Sequence, residues 1–269
     1  MFSLELYQHK KDKQLFGSLV QMKIANELFD WCEENQLDRA YQYAYQASCL
    51  KITPSSVPEV YDLLEKACVE FELKKIPALY LSRNYDIKAE IIGIIEPGLI
   101  ISEDYLNIIS KESLYGVISS MIAGIKAGHH RGLGLSWMIE TCVGALPVPH
   151  VAVVPVKALL NDWKRCRWYT CDRAFLLATG DYQLTLKSLF DRAVPMHILD
   201  RFRLGAVEDA YLNQLQRFQE ASSAEEIANV LHSAQSDETW LPLRYQELQA
   251  FYSVNAEVIG YGKVGLSSS

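Results

Sequence analysis

The spacing of apolar residues changes character twice along this chain, and that double change constrains the fold more than any other feature. Leu15, Leu19, Met22, Ile24, Ala25, Leu28 and Phe29 recur near helical spacing, which predicts a helix ending around Trp31-Cys32. A second helix is predicted from Leu37 to Leu50, with Ala40, Tyr41, Ala44, Ala47 and Cys49 near one face, and Pro54 closes this arm. Ser55-Ser56-Val57-Pro58-Glu59 then reads as a helix start, a hydroxyl cap with proline in the first turn. Val60, Leu63, Leu64, Ala67 and Cys68 give that helix a core-facing stripe. Between Ile76 and Ser102 the runs turn short and β-branched. Leu79 to Ser82, Ala89 to Ile95 and Leu99 to Ser102 are predicted strands, separated by Asn84-Tyr85-Asp86 and Pro97-Gly98, and they suggest a small meander.

Helical patterning returns at Glu103 and dominates the rest. Asp172 to Thr179, Tyr182 to Ala193, Val207 to Glu220, Ala224 to Leu231 and Leu243 to Tyr252 are predicted helices, and Ser222-Ser223-Ala224-Glu225 has the residues of a helix entrance. The tail from Gly260 to Ser269 is small and polar and is expected to fray. Helices, then a small sheet, then helices is an α+β order, not the alternation of a parallel βαβ fold. The expected organisation is a helical arm over 1–54, a core over 55–200 and a helical part over 201–269 packed on that core.

Bulk properties narrow the function classes. The chain has 269 residues, 49% of them hydrophobic and 22% charged, as in ordinary globular proteins. Its formal net charge of −7 gives no basic footprint for nucleic acid. The local clusters His9-Lys10-Lys11 and Lys164-Arg165-Cys166-Arg167 read as solvated faces. The N-terminus lacks the pattern of a secretory signal. The longest apolar tract, roughly Val143 to Leu160, is broken by Pro147, Pro149, His150 and Pro155, so no membrane span is expected. Six cysteines are scattered without C-x-x-C pairing, which argues against a zinc knuckle and fits a cytoplasmic protein.

The stretch Val117 to His130, VISSMIAGIKAGHH, carries the chemistry-bearing signal. It resembles the active-site helix of the HtpX-type zinc metallopeptidases, A-H-E-L-G-H-I-K-A-G-H, through the shared tail Ile125 to His129. In H-E-x-x-H the two histidines, four residues apart, share a helix face and hold zinc, while the glutamate acts as base for the metal-bound water. Aligned on the shared tail, this chain places Ser120, Met121 and Gly124 at the His, Glu and His positions. The family's third ligand, a glutamate in E-x-x-x-D-R, corresponds to Trp168 in Trp168-Tyr169-Thr170-Cys171-Asp172-Arg173, where only Asp172 and Arg173 match. Shorter pieces resemble the family in order, namely Pro58 to Glu65, Ile76 to Tyr80 and Gly98 to Ser102, and the resemblance runs from about Ser55 to Ala193. It implies a mainly helical zincin-like (gluzincin) peptidase fold with a small sheet beside the former active-site helix, the core being the peptidase-like part.

All three ligands and the base are thus replaced, and neither metal nor cofactor is expected. Asp172 and Arg173 read as a partly buried network holding two helices together. His129 and His130 read as residues at the C-terminal end of a helix, with Gly132 and Gly134 supporting a stop there. Adjacent on a helix, they point about 100 degrees apart and cannot chelate one ion together. A set joining them to Glu140 or His150 is the weaker reading. Cys142 with His150 would be a cysteine–histidine pair, but nothing in the sequence fixes their geometry. Gly116 and Gly124, embedded in a helical run, read as positions of close helix packing.

The resemblance implies a catalytically inactive metallopeptidase homologue, a pseudopeptidase that acts as a protein- or peptide-binding partner or scaffold, in the company of an active protease or a biosynthetic enzyme. Peptidases of this kind hold substrate as a strand against a sheet edge, which here points to Ala89, Ile91, Gly93, Leu99 and Ile101. Homo- and hetero-oligomers are both compatible with the pattern. The alternative is a hydrolase with relocated or non-standard metal-binding residues, which calls for clustered ionisable groups near Ser120.

Overall fold

In the computed structural model, which describes residues 1–83, 88–190, 209–210, 212–213, 216–217 and 241–262, the N-terminal arm forms four helices. These are α1 (Leu4–Tyr7), α2 (Lys10–Gln21), α3 (Lys23–Glu34) and α4 (Leu37–Ser48). The helix predicted across Leu15 to Phe29 is therefore two, broken where Met22 takes an extended backbone (φ −70°, ψ 127°). Helix α4 buries no residue, so Ala40, Ala44 and Ala47 face outward rather than into a core. After it comes β1 (Leu50–Ile52), a strand of three residues that is too short to reveal an alternating pattern. β1 pairs with the main sheet and so ties the end of the arm to it.

Helix α5 (Pro58–Glu70) starts on its proline and buries Val60, Leu64, Ala67 and Cys68. Strands β2 (Ala78–Ser82), β3 (Ala89–Ile92) and β4 (Gly98–Ser102) complete a mixed four-stranded sheet in the order β1-β2-β4-β3. This is not a meander. β4 lies between β2 and β3, parallel to the first (Leu79 opposite Leu99) and antiparallel to the second (Ile91 opposite Leu99). The reason is visible in the residues: all five of Gly98-Leu99-Ile100-Ile101-Ser102 are buried, as a central strand requires. β3 is an edge strand, shorter than predicted because Gly93 turns the chain at φ +102°. A side chain at 93 would meet the Glu96 carbonyl oxygen at 2.1 Å.

Ser102 caps α6 (Glu103–Ile108) and Ser110 caps α7 (Lys111–Lys126), each accepting a backbone N–H three residues on at 3.2 Å. Gly128, at φ +88°, ends α7 and opens α8 (His129–Thr141). The expectation for His129 and His130 is thereby reversed. They sit at the N-terminal end of a helix, and Gly132 and Gly134 lie inside it. Helix α9 (His150–Thr179) runs 30 residues, about 45 Å, and includes Pro155. The prolines obscured its start in the sequence: Pro149 is its cap, and Pro155 costs one backbone bond near its beginning. α10 (Tyr182–Phe190) and α11 (Leu241–Gly262) follow. The predicted helix Val207 to Glu220 lies largely outside the described residues, and the helix Ala224 to Leu231, its entrance at Ser222, the Asn84-Tyr85-Asp86 break and most of the polar tail lie wholly outside them.

The architecture is α+β and mostly helical, and α9 organises two cores. One, with Leu64, Leu99, Ile118, Ile122, Leu176 and Tyr245, joins α5, the sheet, α7, α9 and α11. The other, with Leu19, Leu28, Leu135, Met138, Leu160 and Trp163, joins α2, α3, α8 and α9. No helix among the described residues is long and apolar enough to cross a membrane.

α7 and α9 approach closely because Gly116 has no side chain: a methyl there would lie 2.5 Å from two carbons of the Phe175 ring. Gly116→Ala gains about 1 kcal/mol of helix propensity but overpacks a buried ring, at about 1–3 kcal/mol. Steric cost wins, so urea denaturation is expected to show a lower midpoint for this variant. An unchanged or raised midpoint would mean that the two helices have room to spare.

Candidate functional site

From Ser113 to Ile125 every residue of α7 is buried except Ser120, which is half-buried and faces a cleft of about 380 Å³. The Ser120 hydroxyl donates to the Val117 carbonyl at 2.8 Å. Met121 and, from α9, Trp168 line the same cleft, so three of the four positions singled out by the motif comparison come together. Gly124 lies one turn further along and does not line it. A methyl at 124 would lie 2.8 Å from Ile91 Cδ1 and 2.9 Å from His129 Nδ1, so this missing side chain is what lets both neighbours in.

Ala89, Glu90 and Ile91 of the edge strand form the opposite wall, with Tyr41 and Tyr45 of α4 beside them. Of the five residues expected at a peptide-binding edge, Ala89 and Ile91 are thus placed on the cleft. Gly93 serves the turn, while Leu99 and Ile101 are fully buried in β4, which is paired on both sides. The arm is pinned over this end by Asp38, whose carboxylate accepts the Ile94, Ile95 and Glu96 N–H groups at 2.8, 3.0 and 3.3 Å.

The cleft is aromatic and carries both signs of charge. The Trp168 ring has the Arg167 guanidinium 4.2 Å and the Arg244 guanidinium 4.9 Å from its centroid. Arg244 grips Asp172 with two bonds of 2.9 and 2.6 Å. Burial pulls the Arg244 pKa down, but the Asp172 charge and bonds carry it above its usual value. Arg173 turns elsewhere, 3.8 Å from Glu247 and over the Phe251 ring, with burial lowering its pKa. Asp172 and Arg173 therefore each reach α11 and do not pair with one another. Lys164 is buried and donates to Glu140 at 3.2 Å, and Ser136 donates to the same carboxylate at 2.7 Å. The basic run at 164–167 is accordingly not a solvated face, since Lys164 and Arg167 turn into the cleft.

Below the cleft lies a network that sequence reasoning missed. Asp12 is fully buried, and its carboxylate accepts from His129 Nε2 at 2.9 Å, Trp163 Nε1 at 2.8 Å and the Thr170 hydroxyl at 2.6 Å. Thr170 in turn accepts the His9 backbone N–H at 3.0 Å. The other nitrogen of His129, Nδ1, lies 3.9 Å from Cys171 Sγ, and Cys171 lines the cleft. Burial alone would lower the His129 pKa, but Asp12, and more weakly Cys171, raise it to about 9. Asp12, though burial opposes it, is held below the usual carboxylate range by His129 and its hydrogen bonds. Next door, burial, Arg131 and His129 push His130 down to about 4, so neighbouring imidazoles carry opposite protonation. Nothing in the sequence marked Asp12, which sits in a run of lysines that reads as solvated. Among the described residues, no group of three or more His, Cys, Asp or Glu side chains is placed to hold a metal ion.

Comparison with known proteins finds no matching family model, no matching curated protein and no matching solved structure.

The Asp12–His129 pair sets a pH window. His129 is raised, so its contribution to stability is full below about 6.5 and is lost as pH rises through about 9. Asp12 is depressed, so its contribution is present above the usual carboxylate range and is lost as pH falls below it. Asp12→Asn leaves a buried imidazole without its counter-charge and is expected to cost about 3–5 kcal/mol near pH 6. Urea titrations at a series of pH values should show that gap between wild type and variant shrinking as pH passes about 9. A gap that stays constant with pH would mean that His129 is neutral in the fold.

Proposed function

We propose that this chain is a degenerate relative of the HtpX-type peptidases, without zinc-peptidase chemistry, whose cleft holds a peptide or protein segment. The observation that carries the reading is convergence. Ser120 and Met121 come from one stretch of sequence and Trp168 from another, 47 residues beyond Met121, yet all three line one cleft beside an edge strand. That is the arrangement the resemblance requires of a base, a first ligand and a third ligand. Serine is a poor zinc ligand, methionine takes no proton, and tryptophan supplies neither ligand nor base. What these residues leave is a binding surface.

An extended segment would add to β3 by main-chain hydrogen bonds, with Trp168, Tyr41 and Tyr45 packing on its side chains. A cytoplasmic partner, such as an active protease or a biosynthetic enzyme presenting an extended loop or terminus, fits this mode.

The test is a peptide array read by fluorescence anisotropy on the best binders. Trp168→Ala, with circular dichroism unchanged, is expected to weaken binding by about 2 kcal/mol, roughly thirtyfold in Kd. Methylating alternate backbone nitrogens of the peptide should weaken it in one register and spare it in the other. Binding indifferent to both changes would place the ligand elsewhere, and one tightly held zinc per chain in elemental analysis would overturn the reading altogether.

A further inference from the structure

The six cysteines fall into distinct environments. Cys32 and Cys68 lie in the cores, where burial pushes their thiols up to about 11 and about 12, the condition of an inert thiol. Cys49, Cys142 and Cys166 are half-buried, and Cys171 is buried, so its distinction lies in its neighbours and not in its exposure. Cys171 alone both lines the cleft and stands within hydrogen-bonding reach of an imidazole, with His129 Nδ1 3.9 Å from its sulfur. The opposite nitrogen of that ring is bound to Asp12 at 2.9 Å. The carboxylate is itself fixed by Trp163 and Thr170, and the Trp163 ring stands edge-on to the imidazole at 5.5 Å. Gly124 supplies the space in which Nδ1 sits. Sulfur, imidazole and carboxylate thus form an ordered series in which each member orients the next, the logic of an activated thiol.

We infer that Cys171 is a nucleophile, oriented through His129 by Asp12, that accepts an acyl group from an activated ester or thioester entering the cleft. The inference rests on the reading that the cleft admits a ligand. Cys171 Sγ attacks the acyl carbon as thiolate and forms the carbon–sulfur bond. The bond from that carbon to the leaving oxygen or sulfur breaks, and the leaving group departs into the cleft as an anion with its electron pair, while the His129 imidazolium, fully buried behind the sulfur, keeps its Nδ1 proton. Water entering the cleft then attacks the thioester carbon, the carbon–sulfur bond breaks, one water proton passes to solvent, and the acid leaves as the thiolate is restored beside the imidazolium. Amides are excluded from the class: Cys171 lies inside α9, whose backbone N–H groups are committed to the helix and offer no oxyanion site beside the sulfur. The charged and titratable groups that sense the sulfur are His129 of α8, Arg244 of α11 and Tyr7 of α1. Arg244 is engaged by Asp172, so the imidazole remains the cation positioned to pair with the sulfur.

The experiment uses the full chain and two probes, with peptide mapping by mass spectrometry. In limiting iodoacetamide at about pH 6, Cys171 is expected to react about tenfold or more faster than Cys49 and Cys142. With p-nitrophenyl acetate, a burst of nitrophenolate and an acetyl group on the Cys171 peptide are expected, both absent from Cys171→Ala. His129→Gln should remove the rate advantage. Because that variant removes a buried charge, the wild-type map decides the matter without it: alkylation of Cys171 no faster than the half-buried cysteines, or acetylation spread over lysines, overturns the proposal. Peptide binding measured on the unmodified wild-type chain separates the two readings. Retained binding with an unreactive Cys171 leaves the cleft a binding site and removes the nucleophile. A reactive Cys171 in a cleft that binds no peptide keeps the nucleophile and removes the peptide.

Discussion

A single buried carboxylate determines how the helices of this protein meet. Asp12 belongs to α2, yet its partners are His129 on α8 and Trp163 and Thr170 on α9. An ionised group in a core is tolerated only when its charge and lone pairs are answered, and here an imidazolium answers the charge while an indole and a hydroxyl complete the bonding. The arm therefore does not merely lie on the core. It supplies the anion around which two core helices are oriented, and α8 cannot rotate about its axis without breaking the pair.

The position of α8 in turn shapes the cleft. Ser136, Trp137 and Glu140 on its cleft side form one wall, and Gly132 and Gly134 bring it against the Trp163 ring and the β3–β4 turn. The same turn is held from above by Asp38. Two aspartates of the arm thus fix the site from opposite directions, one through a charge pair below it and one through backbone N–H groups at its rim.

The α+β order and the positions of most elements were readable because they depend on local periodicity. The stripe on α5 was read residue by residue and lies in the core. What failed has physical causes. β1 is too short to alternate. Two prolines at the start of α9 look like breaks, although one is a cap. Gly132 and Gly134 look like a helix stop, whereas the left-handed residue that ends α7 is Gly128. The sheet order depends on non-local pairing that no short window contains. At the site, Ser120, Met121 and Trp168 are marked by their motif positions. Asp12, Asp38 and Arg244 are not, because their partners lie tens to hundreds of residues away and a buried ion looks in sequence like any surface charge.

Gly124 makes one junction of the fold intolerant of bulk. Its missing side chain admits Ile91 and the His129 ring, which a methyl at this position would meet at 2.8 and 2.9 Å. Any larger side chain at 124, a histidine included, would have to dislodge the imidazole that Asp12 holds and that fixes α8. Installing a metal ligand on this face of α7 would therefore mean rebuilding the helix junction before adding any ligand.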